Sequence, residues 1–165
     1  MLELSKITSG SSKTISLLAE MIKEIWAECL LKLHGRAVVN YLLYFVKEDA
    51  LKIELKNEKF EYYFIEWNKE KIGFILLEDM DDVLNVSRFY IKEEYRNRGI
   101  GFKVFQRILV YAKKRKYKFI YLYINRKNFK ALRFFQRLGF LKKCSVVRYI
   151  GSEKFLDDYK FIYEL

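Results

Sequence analysis

The chain has 165 residues, 52% of them hydrophobic and 18% aromatic, enough to bury about 70% of its unfolded surface in one core without disulfides or a bound metal. Its 32 basic residues against 21 acidic ones leave a net charge of +11, which favours anionic partners (cofactor phosphates, nucleic acid or an acidic protein) and works against a polycation. Met1-Leu2-Glu3-Leu4-Ser5-Lys6 lacks the basic segment and apolar core of a signal peptide, and no apolar run approaches the ~20 residues that span a membrane, so a cytoplasmic protein without a membrane partner is expected.

Leu2 to Ile7 alternates as a short strand, and Thr8-Ser9-Gly10-Ser11-Ser12 reads as a turn able to cap a helix. A long helix is predicted next, its apolar stripe Ile15, Leu18, Ile22, Ile25, Trp26, Cys29 and Leu33 holding helical spacing until Gly35. Ala37 to Val46 and Glu48 to Leu55 read as further helical segments. Phe60 to Trp67 and Lys71 to Glu78 then form two antiparallel strands around the polar turn Asn68-Lys69-Glu70. Proline is absent, and neither a linker nor an internal repeat interrupts the chain, so residues 1–165 are expected to be one domain. Cys29 and Cys144 lie far apart in apolar patterns, which predicts reduced, buried thiols, and with His34 as the only histidine no metal site is expected.

Beyond Glu78 a strand ending at Ile91 changes parity: Leu84 and Val86 share one face, yet the apolar series resumes at Phe89 and Ile91. One inserted residue, a β-bulge at Ser87 to Phe89, accounts for this; a strand buried on both faces with Arg88 at its edge is the alternative. Arg96-Asn97-Arg98-Gly99-Ile100-Gly101 follows, a glycine-bearing turn into a helix, where converging backbone N–H groups and the helix dipole can cradle a pyrophosphate. Phe102, Phe105, Ile108, Leu109 and Ala112 mark the buried face of that helix, and Lys113-Lys114-Arg115-Lys116 is a solvated, dipole-complementing end. Phe119 to Ile124 is a continuous apolar run, the pattern of a strand covered on both faces. Asn125 and Asn128 punctuate its end. A second helix follows with Phe129, Leu132, Phe135 and Leu138 on one side, stopping at Gly139. Phe140 to Ile150 and Phe155 to Leu165 close the chain as a hairpin around Gly151-Ser152-Glu153.

Strand, R-x-x-G-x-G, helix, strand, Asn, helix and Gly-Phe, running from Val83 to Phe140, resemble the GNAT superfamily of acetyl-CoA-dependent N-acetyltransferases; Asn128, Ala131 and Gly139-Phe140 stand at the superfamily's offsets. The resemblance implies an α/β fold whose mixed, mostly antiparallel sheet is flanked by helices and carries a bulged strand before the pyrophosphate turn. It implies acetyl-CoA as cosubstrate, bound by Phe89, Tyr90 and Ile91 on the strand, by Arg96, Asn97, Arg98, Gly99, Ile100, Gly101 and Phe102 at the turn, and by Asn128 and Phe135. Acetyl transfer would be direct, in a ternary complex, to a small amine of polyamine or amino-sugar type or to a protein amine. A homodimer stays open and nucleic acid is not an expected partner. A non-catalytic CoA-binding or nucleic-acid-binding module on this fold is the alternative.

Two departures bear on catalysis. Many relatives keep a glutamate base on the bulged strand, whereas Asn85-Val86-Ser87-Arg88-Phe89-Tyr90 holds no carboxylate; Glu28, Glu66 and Glu78 could reach from elsewhere, and the base is unassigned. Many relatives also place a tyrosine acid where this chain has Phe135. Tyr90, Tyr123 and Tyr149 are substitutes, and Tyr149 is the candidate named. Arg148, Tyr149, Asp157, Asp158 and Tyr159 could border the acceptor cleft; Asp157-Asp158 is the local acidic feature there that could attract a cationic amine, although such a pair is more commonly a solvated turn.

Overall fold

The computed structural model describes residues 1–8 and 11–165; Ser9 and Gly10 of the expected capping turn lie outside them. The chain runs β1 (Leu2–Ile7), α1 (Ser12–Cys29), α2 (Leu31–His34), α3 (Arg36–Tyr44), α4 (Glu48–Glu54), β2 (Phe60–Trp67), β3 (Glu70–Met80), β4 (Val83–Ile91), a 3₁₀ turn (Glu93–Tyr95), α5 (Ile100–Lys114), β5 (Phe119–Asn125), α6 (Phe129–Arg137), β6 (Leu141–Gly151) and β7 (Lys154–Glu164). Seven strands form one sheet in the order β1-β2-β3-β4-β5-β7-β6. Every neighbouring pair is antiparallel except β4 and β5. This is the mixed, mostly antiparallel sheet flanked by helices that the resemblance implies.

Strand alternation sorts the side chains into two apolar layers. On one side, Leu84 and Val86 of β4 and Ile120, Leu122 and Ile124 of β5 pack with Val104, Phe105 and Ile108 of α5 and Phe135 and Leu138 of α6. On the other, Tyr62 and Phe64 of β2 and Phe74 and Leu76 of β3 pack with Ile15, Leu18, Ile22, Ile25 and Trp26 of α1, Val39 of α3 and Leu51 of α4. Each such buried side chain contributes about 1.5–3 kcal/mol of transfer free energy. The apolar core of the α1–α4 layer lies over β1–β4, and α3 also reaches the far end of β6, where the Tyr41 hydroxyl donates to the Ile150 carbonyl at 2.8 Å.

Several expectations change. The apolar stripe predicted one helix to Leu33, but α1 ends at Cys29 and Leu30 turns the chain into the four-residue α2. Ser11 is the N-cap of α1, its hydroxyl accepting from the Thr14 N–H. Strand β5 is fully buried only toward α5, since Tyr121 and Tyr123 on its other side stay partly open. Phe102 and Phe129, expected on buried helix faces, are 53% and 66% exposed: each lies in the first turn of its helix, beyond the layer the later turns pack on. Cys144, expected to be buried, is exposed on the edge strand β6, and Cys29 is half-buried.

Both expected hairpins form. Asn68 and Lys69 link β2 to β3 with φ of 50° and 70°, and Ser152 and Glu153 link β6 to β7 with φ of 47° and 56°, the left-handed pairs that match the strands' right-handed twist. Register also shifts near both ends of β6, at Lys142/Cys144 and at Tyr149/Gly151.

Candidate active site

The parity break in β4 is a bulge. Arg88 pairs with Leu76 of β3 while Val86 pairs with Leu77, so Ser87 is the extra residue, and Phe89 and Ile91 return to the face of Leu84 and Val86. On its other edge β4 pairs with β5 over Val83–Asn85 only. From Val86 onward the two parallel strands part, leaving a cleft whose β4 wall has no ladder partner on that side.

The glycine-bearing turn stands at the end of this wall. After the 3₁₀ turn the chain passes through Asn97 at φ 60° and Gly99 at φ 73° into α5. No side chain caps α5 and no carboxylate stands in its first turn, so its leading N–H groups and the positive dipole end are available to an anion. A Cβ on Gly99 would meet nothing within 4 Å. At Gly101 it would come within 3.0 Å of the Phe134 ring, so this glycine serves the contact between α5 and α6 rather than an open approach. Arg96 turns inward: its Nε donates to the Ile91 carbonyl at 2.6 Å and its two terminal nitrogens to Glu28 of α1 at 2.7 and 2.9 Å. Asn97 and Arg98 are exposed, the Arg98 guanidinium lying 5.6 Å from the Tyr95 ring centroid. Asn128 caps α6, its Oδ1 accepting from the Ala131 N–H, which leaves the amide nitrogen free to donate. Phe135 is buried edge-on among Phe89, Phe134 and Phe140.

A family model described as the acetyltransferase (GNAT) family matches residues 19–140, well over half of the chain. The chain belongs to that family. It is 25% identical over 125 residues to an uncharacterized N-acetyltransferase of Methanocaldococcus jannaschii, a match covering 68% of this chain and 55% of that protein; the chain thus spans about half the length of this curated relative. Among solved structures it resembles the PaiA N-acetyltransferase of Thermoplasma acidophilum in complex with coenzyme A, with a TM-score of 0.81, 19% identity and coverage of 100% of this chain and 99% of that one. It also resembles a probable acetyltransferase of Staphylococcus epidermidis, with a TM-score of 0.78, 17% identity and 99% coverage of both chains. The GNAT match begins far upstream of Val83, inside α1, where the sequence offered only a helical stripe.

Across the cleft, on the side of α1–α4, the GNAT chain gathers polar groups. Tyr90 of β4 stacks on Phe74 and meets Trp26 edge-on, and burial pushes its phenol well above the usual tyrosine range, with the nearby Cys29 adding to the rise. Arg88, whose place was open, pairs with Glu54 of α4 at 3.0 Å and lies over Trp26 and Tyr62; burial lowers its pKa, partly offset by Glu54. On the opposite wall Lys160 sits 4.3 Å from the Tyr121 ring centroid and Arg148 lies 4.4 Å from that of Tyr123. Arg148 donates to Asp158, which is 2% exposed.

Of the catalytic candidates, Glu28 is held by Arg96, Glu66 by Ser5 and Lys71, and Glu78 accepts from Asn85 at 2.8 Å. Tyr149 is 64% exposed and stacks on Phe155, on the sheet face opposite Arg148, so the structure does not bring it to the cleft groups. Asp157 and Asp158 are not a turn: both lie within β7, Asp157 paired with Arg126 at 2.7 Å and Asp158 with Arg148. Tyr159 packs toward the α5 layer. Asp158 was expected at the acceptor cleft but not as a buried strand residue, and the pairing of Glu54 with Arg88 was not foreseen. For Asp158 a signal existed, because Leu156, Asp158 and Lys160 continue one face of a strand. A hollow of about 500 Å³ among Ala19, Leu43 and Val46, and another of about 300 Å³ among Phe129, Arg133 and Tyr159, are lined by none of Glu54, Arg88, Tyr90, Arg148 and Asp158.

Proposed function

We propose that this chain transfers an acetyl group from acetyl-CoA directly to a primary amine in a ternary complex, one domain carrying both sites. The observation that carries the reading is the parting of β4 and β5 beside an uncapped, glycine-led helix. In it, backbone N–H groups from Asn97 to Gly101 hold the pyrophosphate, with the Arg98 side chain on the exposed side. The unpaired edge at Phe89, Tyr90 and Ile91 takes the amide groups of the pantetheine arm, and the Asn128 amide donates near the thiol. Phe102, exposed at the mouth, and Phe135, within the aromatic floor, supply apolar contact. When bound, acetyl-CoA supplies the thioester. The β4 backbone orients it, and the bulge at Ser87 aims the following N–H groups toward its oxygen.

Arg96 then acts from behind the turn, tying the Ile91 carbonyl at the end of β4 to Glu28 of α1. The acceptor enters from the α1–α4 side, between Tyr90 and the Arg148–Asp158 pair. An amine of lysine-like pKa is only ~0.04% neutral at pH 7, so a proton must leave before attack. The acceptor is a small amine or a protein amine.

The test is thiol release from acetyl-CoA against polyamines, amino sugars, amino acids and N-terminal peptides, with a parallel CoA-dependent melting shift. Turnover with one class is expected together with the shift. A shift without turnover across the whole panel would favour a CoA-binding module, and no shift would remove the cofactor site.

A further inference from the structure

We propose that Asp158 is the carboxylate that receives the acceptor's amine and takes up its proton. The inference rests on the acetyl-transfer reading above and fills the role left by the missing β4 carboxylate.

Asp158 pairs with Asn125 at the end of β5, where the cleft between β4 and β5 has opened, and with Val146 of β6. Its strand alternation puts it with Leu156 and Lys160 on the α1–α4 side, the side from which Tyr90 faces the same cleft. Although almost fully buried, it is only half engaged: Arg148 donates Nε at 2.8 Å and a terminal nitrogen at 2.6 Å to the same oxygen, Oδ2. No donor among the described residues is bonded to Oδ1. Oδ1 is not one of the fully buried unpartnered atoms, so it keeps access to the open cleft, where a ligand ammonium can donate to it.

The groups facing Asp158 come from every wall. Arg148 stands on β6, Tyr123 on β5 beneath Arg148, Lys127 on the loop after β5 and Lys160 on β7 itself. His34 of α2 feels the charges of Asp158, Arg148 and Lys127, and Tyr90 of β4 feels those of Asp158 and Arg148. Among these groups Asp158 is the one carboxylate. Glu28, Glu54, Glu78 and Asp157 are committed to Arg96, Arg88, Asn85 and Arg126.

The step balances. An N–H bond of the ammonium breaks and the proton passes to Asp158 Oδ1. The freed lone pair forms the new N–C bond at the thioester carbonyl, the nitrogen of the adduct gives up a second proton as the C–S bond breaks, and that proton ends on the departing thiolate, leaving amide and thiol while Asp158 returns its own proton to solvent. The surroundings also select the acceptor. One carboxylate paired with Arg148, with Lys160 next on the same face of β7, fits an amine with a single positive charge, whereas a second ammonium on the same molecule would meet a cation.

The test is Asp158→Asn, which keeps an oxygen for Arg148. Thiol release is followed from pH 6 to 10 with the best single-charge acceptor of the panel, an alanyl peptide or glucosamine, and with spermidine. We expect kcat at pH 7 to fall about 100-fold, within the usual range for a lost general base. The KM for acetyl-CoA and the CoA-dependent melting shift should change less than twofold. The deficit should shrink as pH rises through the acceptor's own pKa, because an amine already neutral needs no base. A deficit equal at every pH, or a rate within threefold of wild type, overturns the assignment; spermidine outperforming single-charge amines overturns the acceptor class. If Asp158→Asn does not fold, the double variant Asp158→Asn/Arg148→Gln, which leaves neither charge behind, must show the same pH-dependent loss, and a uniform loss there is equally fatal. Wild-type protein that binds CoA but acetylates no amine defeats the acetyl-transfer reading itself, a result distinct from normal turnover by Asp158→Asn.

Discussion

The two sides of the central sheet are built on different chemistry. Toward α5 and α6 the layer is apolar from Leu84 and Val86 to Phe105, Phe135 and Phe140, with the Glu61–Arg115 pair at its margin. Toward α1–α4 the sheet is apolar only where helices cover it; beyond β4 it carries Arg148, Asp158, Lys160 and the tyrosines beneath them. The first side fixes a backbone turn against a rigid base, and the second displays side chains. A ligand common to a whole family can be held by the backbone, which demands little beyond glycine at one point. A ligand that differs between members has to be read by side chains.

The largest effect expected from breaking this contrast is at Gly99. Gly99→Val forces a β-branched residue into φ +73° and projects it into the open space before α5. CoA affinity should fall about 100-fold or more, the loss of one or two charge-assisted hydrogen bonds, while the free protein still melts cooperatively. Titration calorimetry with CoA measures it, and unchanged affinity would end the backbone cradle.

Gly101→Val should do the reverse. Its added atoms meet Phe134 rather than the ligand, so stability should drop by about 1–3 kcal/mol through overpacking while the surviving folded protein keeps most of its affinity. Adding Phe134→Leu should return part of that stability in a denaturant titration. If Gly101→Val instead spares stability and abolishes binding, the two glycines share one role.

The smallest effect compares the covered and open halves of the α1–α4 side. Burial pushes the Cys29 thiol up to about 12, so at pH 8 only about one molecule in 10,000 carries the reactive thiolate, whereas Cys144 stands exposed on β6. Iodoacetamide at pH 8 should modify Cys144 and leave Cys29 intact by mass spectrometry. Rapid labelling at Cys29 would mean that α1 lifts from the sheet.

The parts of the molecule legible from sequence are those where one local rule decides. Alternation located β1, the aromatic and β-branched run before the polar turn at Asn68 located β2, and the parity break at Val86 to Phe89 located the bulge. Helical spacing names a stripe but not where a helix overhangs its layer, which is why Phe102 and Phe129 came out exposed, nor where a helix yields to a turn that keeps the same side buried, as at Leu30. The glycine-bearing turn into α5 was legible through Gly99, while the inward commitment of Arg96 to Glu28 joins residues 68 positions apart and has no local signature. Asp158 was named at the cleft, but its burial was masked by turn propensity: two adjacent aspartates suggest a loop, yet the long pairing of β5, β7 and β6 carries the strand through them.

The two register shifts near the ends of β6 have a consequence for life in a crowded solution. This strand is the outer edge of the sheet, and its free N–H and C=O groups are a template on which another chain's strand could grow. The dislocations at Lys142/Cys144 and Tyr149/Gly151 confine the regular stretch to Cys144–Tyr149, and Lys142, Lys143 and Arg148 along it repel a second copy laid against it. The most exposed strand of the molecule is thereby shielded from runaway self-templating by its irregularity and its charge.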